Sequence, residues 1–370
     1  MKIPIAKPIN EITDIKNFEN KFIREVKKGI YIGGENVVAY EESLKKFFGV
    51  KHVVSLNSGT DALVLSLASL GIKPRDEVIL PSFTYFATAE AVMHLGAIPV
   101  FADTEEDSYC ISAKTIEKLI TKKTKCIIPV HLYGYDCDIK ETIKLAKKFN
   151  IKVLEDAAQS FGSKSVENKF LGTYGDIGAF SNFPSKTLGG IGDGGFILTN
   201  NANYFKKISL LKNHGQSSNY EHEIMGVNSR LDSLNAFVLR NKLKNFNKIK
   251  NTRNDFVKMY LNFFSTIDNV IIPKVHKNIV LNYFSLEFLD NSRNYIKKSL
   301  LESGIQSNIY YQKPLHKQPA LKKYGFKDKG LKNTEKLSKK ILSLPLYSGV
   351  SIKELAYIER KLQKAFEKNE

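Results

Sequence analysis

The sequence predicts an α/β protein with a mostly parallel sheet in a large domain and a smaller α+β C-terminal domain. Three observations carry that expectation. The chain has 370 residues, and a single core stops growing near ~250–300 residues. From about residue 50, short β-branched runs alternate with stretches whose apolar residues recur at helical spacing, and this alternation implies parallel strands covered on both faces. Near residue 231 the alternation gives way to a long helical pattern leading out of the large domain, which divides the chain into 1–245 and 246–370.

In chain order, the predicted strands of the first domain are HVVSL (52–56), EVILP (77–81), IPVFAD (98–103), CIIPVHL (126–132), KVLED (152–156), GAFSNF (178–183) and GGFILTN (194–200). DALVLSLASLG and IKETIKLAKKFN are helices between them, the first beginning at Asp61. One long helix is expected from Leu231, with Leu234, Val238, Leu243, Phe246, Ile249 and Phe256 on its apolar stripe. The second domain holds a strand in NYFSLEFL (282–289), a helix in NYIKKSLLESG (294–304), a strand in IQSNIYY (305–311) and a final helix from about Ile352. No internal repeat or low-complexity linker interrupts it.

Composition narrows the function classes. A hydrophobic share of 42% and a charged share of 25% are ordinary for a globular protein, and no stretch reaches the ~18 apolar residues of a membrane span. MKIPIAKPINEI lacks the features of a signal peptide, so a cytoplasmic protein without membrane partners is expected. Cys110, Cys126 and Cys137 form no CxxC pair, which points to reduced thiols and to no metal site. The net charge of +18 comes from lysines spread along the whole chain. That reads as solvated helix faces and not as a nucleic-acid stripe, although it favours a phosphate-bearing substrate.

Lys186 stands apart from the other lysines, in SNFPSKTLGGIGDGG (181–195). Gly190, Gly192 and Gly195 formally satisfy GxGxxG, but they precede a strand where a dinucleotide fingerprint must follow one. A Walker A loop fails as well, because its lysine follows the glycines. Asp156 ends KVLED, placing a carboxylate at the carboxyl edge of the sheet, where ligands bind in such folds. Ser58, Gly59 and Thr60 lie between a strand and a helix start, so hydroxyls and free N–H groups point at the same edge, as a phosphate cradle requires. Phe83 and Tyr85, in PSFTYFAT, offer flat apolar surface for an aromatic ring. Each has a plainer reading: Asp156 and Ser58 as helix caps, Tyr85 as core. Together they describe a site for a ring with one phosphate that needs a lysine and an aspartate, which are the needs of pyridoxal 5'-phosphate.

The motifs NSGTDAL (57–63), PSFTYFATAEAVMHLGAIPVFAD (81–103), PVHLYG (129–134), EDAAQSFGS (155–163), GDIGAFSNFPSKTLGGIGDGG (175–195) and NSRLDSLNAFVL (228–239) resemble those of the DegT/DnrJ/EryC1/StrS family of nucleotide-sugar aminotransferases. The resemblance runs from about Tyr31 to YYQKPLHKQPA (310–320) and more loosely to the end. It implies the aspartate aminotransferase fold (PLP fold type I) and a homodimer with shared sites. Lys186 is then the residue that binds the cofactor covalently and shuttles a proton. Asp156 keeps the pyridine nitrogen protonated. Gln159 lies near the ring hydroxyl and Tyr85 stacks on the ring. Gly59, Thr60 and Ser181 hold the phosphate with Asn228 of the other subunit. The glycines after Lys186 are expected to allow close backbone approach and positive φ. His316 and Tyr135 are expected on the substrate side.

Two positions depart from the family pattern: Asn182, where relatives have phenylalanine, and Tyr135, where they often have glutamine or a small residue. The lysine itself is retained, which favours transamination over dehydration, since dehydratase relatives carry histidine there. The expected reaction moves an amino group from glutamate to a keto sugar of a nucleoside diphosphate, for amino-sugar or surface-polysaccharide biosynthesis. A 3-keto sugar is favoured and a 4-keto sugar is the alternative. Rivals are a PLP-dependent dehydratase, an amino acid aminotransferase and, from another class, a non-catalytic or regulatory protein on the same fold.

Overall fold

The β-branched runs form strands in the computed structural model, which describes residues 1–12, 14–106 and 108–367. They are β1 (His52–Leu56), β2 (Glu77–Pro81), β3 (Ile98–Ala102), β4 (Thr124–Ile127), β5 (Lys152–Asp156), β6 (Ile177–Ser181) and β7 (Gly195–Thr199). Later come β8 (Gln216–Ser218), β9 (Glu221–His222), β10 (Val270–Ile271), β11 (Phe284–Phe288), β12 (Lys327–Asp328) and β13 (Ile341–Leu344). The large sheet has the order β1-β7-β6-β5-β4-β2-β3-β12, and β10-β11-β13 form a second, antiparallel sheet. The short β12, from the C-terminal third, therefore closes the edge of the large sheet beside β3.

In the large sheet only β7 runs against its neighbours. The reason lies in its connection to β6. A parallel neighbour needs a crossover of a dozen or more residues, usually a helix. The segment 182–194 contains no regular helix, so β7 returns antiparallel. That turn sits at the carboxyl end of β6 and carries Lys186.

Side chains alternate across the sheet with period two. Val54, Leu56, Val78 and Leu80 pack with Ala62, Leu63 and Leu65 of the helix Gly59–Ser69 on one face. Ile79, Ile127 and Val153 face the opposite core. Phe180 and Phe196, cross-strand partners on β6 and β7, stack with centroids 4.6 Å apart and join Tyr40, Leu44 and Phe48 in a third cluster.

Four expectations change. The long helix from Leu231 is two, Ser233–Lys244 and Phe246–Phe264. Asn245 leaves helical geometry (φ −103°, ψ 13°), and its side-chain amide bonds the Asn241 carbonyl, a local competition with the helix that asparagine favours. Residues 305–311 form no strand. Ile305 bridges Ile3 and Asn308 bridges Ser343, on the open edge of β13, and neither pairing extends beyond a single bridge. CIIPVHL ends as a strand at Ile127, since Pro129 has no N–H to give, and only Val130 bridges Asp156. The first helix begins at Gly59, with Ser58 as its cap.

Candidate active site

β5 and β6 end at Asp156 and Ser181, and β1 leads into the loop of Ser58. Strand direction therefore brings all three to one edge. Ser58 caps the following helix: its Oγ accepts from the Asp61 N–H at 3.1 Å. The helix geometry leaves the N–H groups of Gly59 and Thr60 without intrahelical partners. Ser181 closes this cradle. A Cβ on Gly59 would stand 2.8 Å from the Ser181 Cβ and 3.3 Å from its Oγ, so glycine is required for the serine to approach. Gly195 is as tightly placed, because a Cβ there would meet the Ser58 carbonyl at 2.4 Å. A ring of N–H groups and a hydroxyl at a helix N-terminus fits a phosphate.

The carboxylate of Asp156 is buried. Its Oδ2 accepts from Thr88 Oγ1 at 2.9 Å and its Oδ1 from the Ala158 N–H at 3.2 Å. Burial raises its carboxyl above the ordinary 3.8, against the opposing pull of those two donors, Lys186 and His131. A buried carboxylate left in that state accommodates a cation such as a pyridinium.

Lys186 is half-buried in a turn closed by its own N–H on the Phe183 carbonyl at 2.8 Å. Among the described residues its Nζ has no hydrogen-bond or ion-pair partner. Of the glycines that follow, Gly192 has open space around it and the others act by close approach. A Cβ at Gly189 would strike the Pro184 carbonyl at 2.3 Å and one at Gly190 the Asn235 side chain at 2.2 Å. The expectation of positive φ is corrected, for none of Gly189, Gly190, Gly192, Gly194 and Gly195 adopts it. Asn182 supports the turn from inside, accepting from the Tyr40 hydroxyl at 3.1 Å and donating to the Leu188 carbonyl at 2.9 Å.

The two candidate aromatics part company. Tyr85 is 63% exposed after β2, whereas Phe83 is fully buried edge-to-face against Tyr311 and offers no surface to a ring. Gln159 is buried and engaged at both ends, accepting from the Tyr133 N–H at 2.8 Å and donating to the Tyr311 hydroxyl at 2.7 Å. Tyr135 is buried against Tyr109, and its hydroxyl has no partner. Both ring nitrogens of His316 are occupied, Nδ1 by Ser82 Oγ at 2.7 Å and Nε2 by Glu335 at 3.2 Å. Asn228 is exposed, accepts from Arg230 Nε, and lines an open hollow with Ile32, Asn57 and Asp193. The structure thus gathers Ser58, Gly59, Thr60 and Ser181 at one end of the site and Asp156, near Lys186, at the other.

Several residues around the site escaped the sequence reading. Thr88 holds Asp156, and its position four residues after Thr84 in the turn following β2 is the signal that marks it. Beneath Asp156, the buried Glu155 accepts from His131 Nε2 at 2.9 Å and from the N–H groups of Gly172, Tyr174 and Gly175. Cys137 meets the other nitrogen of His131 at 3.3 Å. The adjacent acid pair Glu155–Asp156 splits its work between holding the backbone and facing the ligand. Asn282 and Tyr283 approach the Lys186 turn, and nothing in their local sequence announces it.

A lysine without a partner, a buried carboxylate and a phosphate cradle at the carboxyl edge of this sheet define a pyridoxal phosphate-dependent transaminase. The chain belongs to the DegT/DnrJ/EryC1/StrS aminotransferase family, whose profile matches residues 13–363. It is 38% identical over 330 residues, 89% of this chain and 88% of the relative, to a UDP-N-acetyl-3-dehydro-alpha-D-glucosamine 3-aminotransferase of Acidithiobacillus ferrooxidans. It is 36% identical over 345 residues, 91% of this chain and 95% of the relative, to a UDP-2-acetamido-2-deoxy-3-oxo-D-glucuronate aminotransferase of Pseudomonas aeruginosa. The crystal structure of DesV from S. venezuelae superposes with a TM-score of 0.92 at 30% identity, over 98% of either chain. The family's cofactor is pyridoxal phosphate. No helix among the described residues is long and apolar enough to cross a membrane.

Proposed function

We propose that this transaminase moves an amino group from glutamate to the 3-keto group of a sugar carried on a nucleoside diphosphate, in amino-sugar or surface-polysaccharide biosynthesis in the cytoplasm. The observation that carries the reading is the unpartnered Lys186 amine in a turn bounded by Ser181 of the phosphate cradle and facing the buried Asp156. The Acidithiobacillus and Pseudomonas relatives are named for 3-dehydro and 3-oxo sugars on UDP, which supports a 3-keto substrate.

In this reading the Gly59 and Thr60 N–H groups and the Ser58 and Ser181 hydroxyls bind the cofactor's phosphate, fixing the ring in depth and rotation. Asp156 holds a proton on the ring nitrogen. Its burial and its Thr88 bond keep it from turning to solvent. Tyr85 would cover one ring face, and Gln159, held by Tyr133 and Tyr311, would lie near the ring hydroxyl. The bound cofactor supplies the electron sink that stabilises a carbanion. Lys186 Nζ would hold the cofactor between turnovers and would serve as the acid–base group that moves the proton. His316 and Tyr135 border the sugar. Asn228 completes the phosphate site of a second subunit, and the half-exposed Ile32 beside it supports a homodimer contact there.

Matched 3-keto and 4-keto nucleotide hexoses, supplied with glutamate, test the substrate: NMR should find the new amine on C3. Amination solely at C4 overturns the regiochemistry, and amination of neither overturns the sugar reading. Mixing inactive Lys186→Ala and Asn228→Ala subunits should restore activity through hybrid dimers. Failure to recover any would remove the shared site.

A further inference from the structure

Lys186 is flanked by two residues that are held from outside their own loop. Thr187 donates both its N–H and its Oγ1 to the side-chain carbonyl of Asn282, at 2.8 and 3.1 Å. On the other side, Ser185 Oγ meets the hydroxyl of Tyr283 at 3.3 Å. Two consecutive residues thus grip positions 185 and 187 and leave 186 between them. Asn282 and Tyr283 are buried. Their backbone is fixed in turn, since the Asn282 N–H donates to the Tyr133 carbonyl at 2.7 Å. The guanidinium of the buried Arg253 donates to the carbonyls of Leu281 and Asn282, at 3.1 and 2.9 Å.

We propose that Asn282 and Tyr283 form a positioning clamp for Lys186, with Arg253 as its anchor. The proposal rests on the reading of Lys186 as the cofactor-binding lysine. A lysine side chain is rich in rotamer freedom, and a misplacement of about 1 Å at a reacting group can cost about a hundredfold in rate. Holding the backbone of Thr187 and the side chain of Ser185 narrows the arc that the Lys186 Nζ can sweep, while no polar contact is spent on the amine itself. Apolar packing of the same loop would not need three polar contacts aimed at its two flanking residues.

The clamp also borders the amine electrostatically. Burial alone would raise the Tyr283 phenol, but the Lys186 ammonium, with Ser185 and Tyr310, outweighs it and brings the phenol below the ordinary 10.0. The groups facing this pair are Asp156 on the lysine side and Tyr133, Tyr310, Tyr311 and Arg253 around the phenol.

The test uses the pyridoxal phosphate-loaded enzyme. Borohydride reduction followed by peptide mapping locates the lysine that carries the cofactor, and a pH titration of the visible absorption reads the protonation of its nitrogen. Tyr283→Phe, which keeps the ring but loses the hydroxyl contact to Ser185, should shift the titration midpoint by about half a unit or more. Asn282→Ala should lower kcat about tenfold with KM changed less than about twofold. In both variants Lys186 should still be labelled. Leu362→Ala, in the core far down the chain, supplies a control of comparable Tm loss that should move neither readout. Unchanged midpoint and kcat with Lys186 labelled overturn the clamp alone. So does a Leu362→Ala control that moves both as far. A label on a different lysine overturns the reading of Lys186 and the clamp with it.

Discussion

The phosphate side of the site and the lysine side differ in where their residues come from. Ser58, Gly59, Thr60 and Ser181 all lie at strand ends of one sheet, so the direction of β1 and β6 is enough to bring them together. The lysine turn is held by segments from elsewhere. Asn282 reaches Thr187 across 95 positions. Lys242, from the helix Ser233–Lys244, donates to the Gly189 carbonyl at 2.7 Å, and it pairs at 3.2 Å with Glu11 of the N-terminal segment. Glu11 also faces Arg253 at 3.9 Å, so one buried carboxylate stands between the cation that holds Gly189 and the cation that holds Asn282. The proposed binding groups can be set by topology, whereas the lysine proposed to move a proton is held by tertiary contacts. Variants on the two sides should therefore fail in different ways.

The largest effect is expected from Lys186→Ala, which should cut turnover by more than about a thousandfold and abolish the visible absorption of bound cofactor. Its amine bears on no packing, so urea unfolding should find stability within about 0.5 kcal/mol of wild type. Asp156→Asn should keep some cofactor yet lose about a hundredfold or more in kcat, since an amide cannot hold a proton on the ring nitrogen.

The same Asp156 variant carries a pH signature in the cofactor-free protein. Because burial raises the folded-state carboxyl above 3.8, the folded protein keeps its proton longer than the unfolded chain does. Stability from this group is then present at low pH and falls as pH rises above 3.8 towards the raised value. Thermal midpoints of Asp156→Asn should gain on wild type as pH is raised through that window, and loading the cofactor should diminish the gain. A constant difference across pH would show that Asp156 is not penalised by burial.

On the lysine side, Glu11→Gln should destabilise the fold by about 3–5 kcal/mol, because it leaves Lys242 and Arg253 buried without their counter-charge. Denaturant unfolding measures it, and a loss no larger than that of an exposed ion pair would break the contrast between the two sides. The smallest effect belongs to the phosphate side. Ser58→Ala removes one helix cap and should cost about 1 kcal/mol in the same assay, with weaker retention of cofactor.

How much of this was legible depended on the range of the contact. The runs HVVSL, EVILP and KVLED match β1, β2 and β5 end to end, since β-branched content and flanking turns are local signals. From those ends, the rule that ligands sit at the carboxyl edge was enough to group Asp156 with Ser58–Thr60, while Ser181 joined them through the family resemblance. Local reading failed where a competing contact decided. An apolar stripe ran unbroken through Asn245, but the side chain of that residue took the backbone out of the helix. IQSNIYY had strand composition, but it meets the open edge of β13 only at Asn308 and Ile3 only at Ile305. Phe83 and Tyr85 were indistinguishable as neighbouring aromatics until burial separated them. Asn282, Tyr283, Arg253 and Glu11 carried no motif at all, because an amide, a phenol and a buried ion pair acquire their role only from what the fold sets beside them.

The most direct test of the central claim, that Lys186 serves an amino-group transfer at this edge of the sheet, is a pair of half-reactions followed by absorption. Wild-type protein loaded with pyridoxal phosphate should lose the visible absorption of its lysine-bound cofactor on addition of glutamate. It should regain that absorption when a nucleotide-linked 3-keto sugar is then supplied. Lys186→Ala should do neither. A wild-type absorption that no amino donor bleaches, or a Lys186→Ala variant that completes the cycle at a comparable rate, would contradict the account.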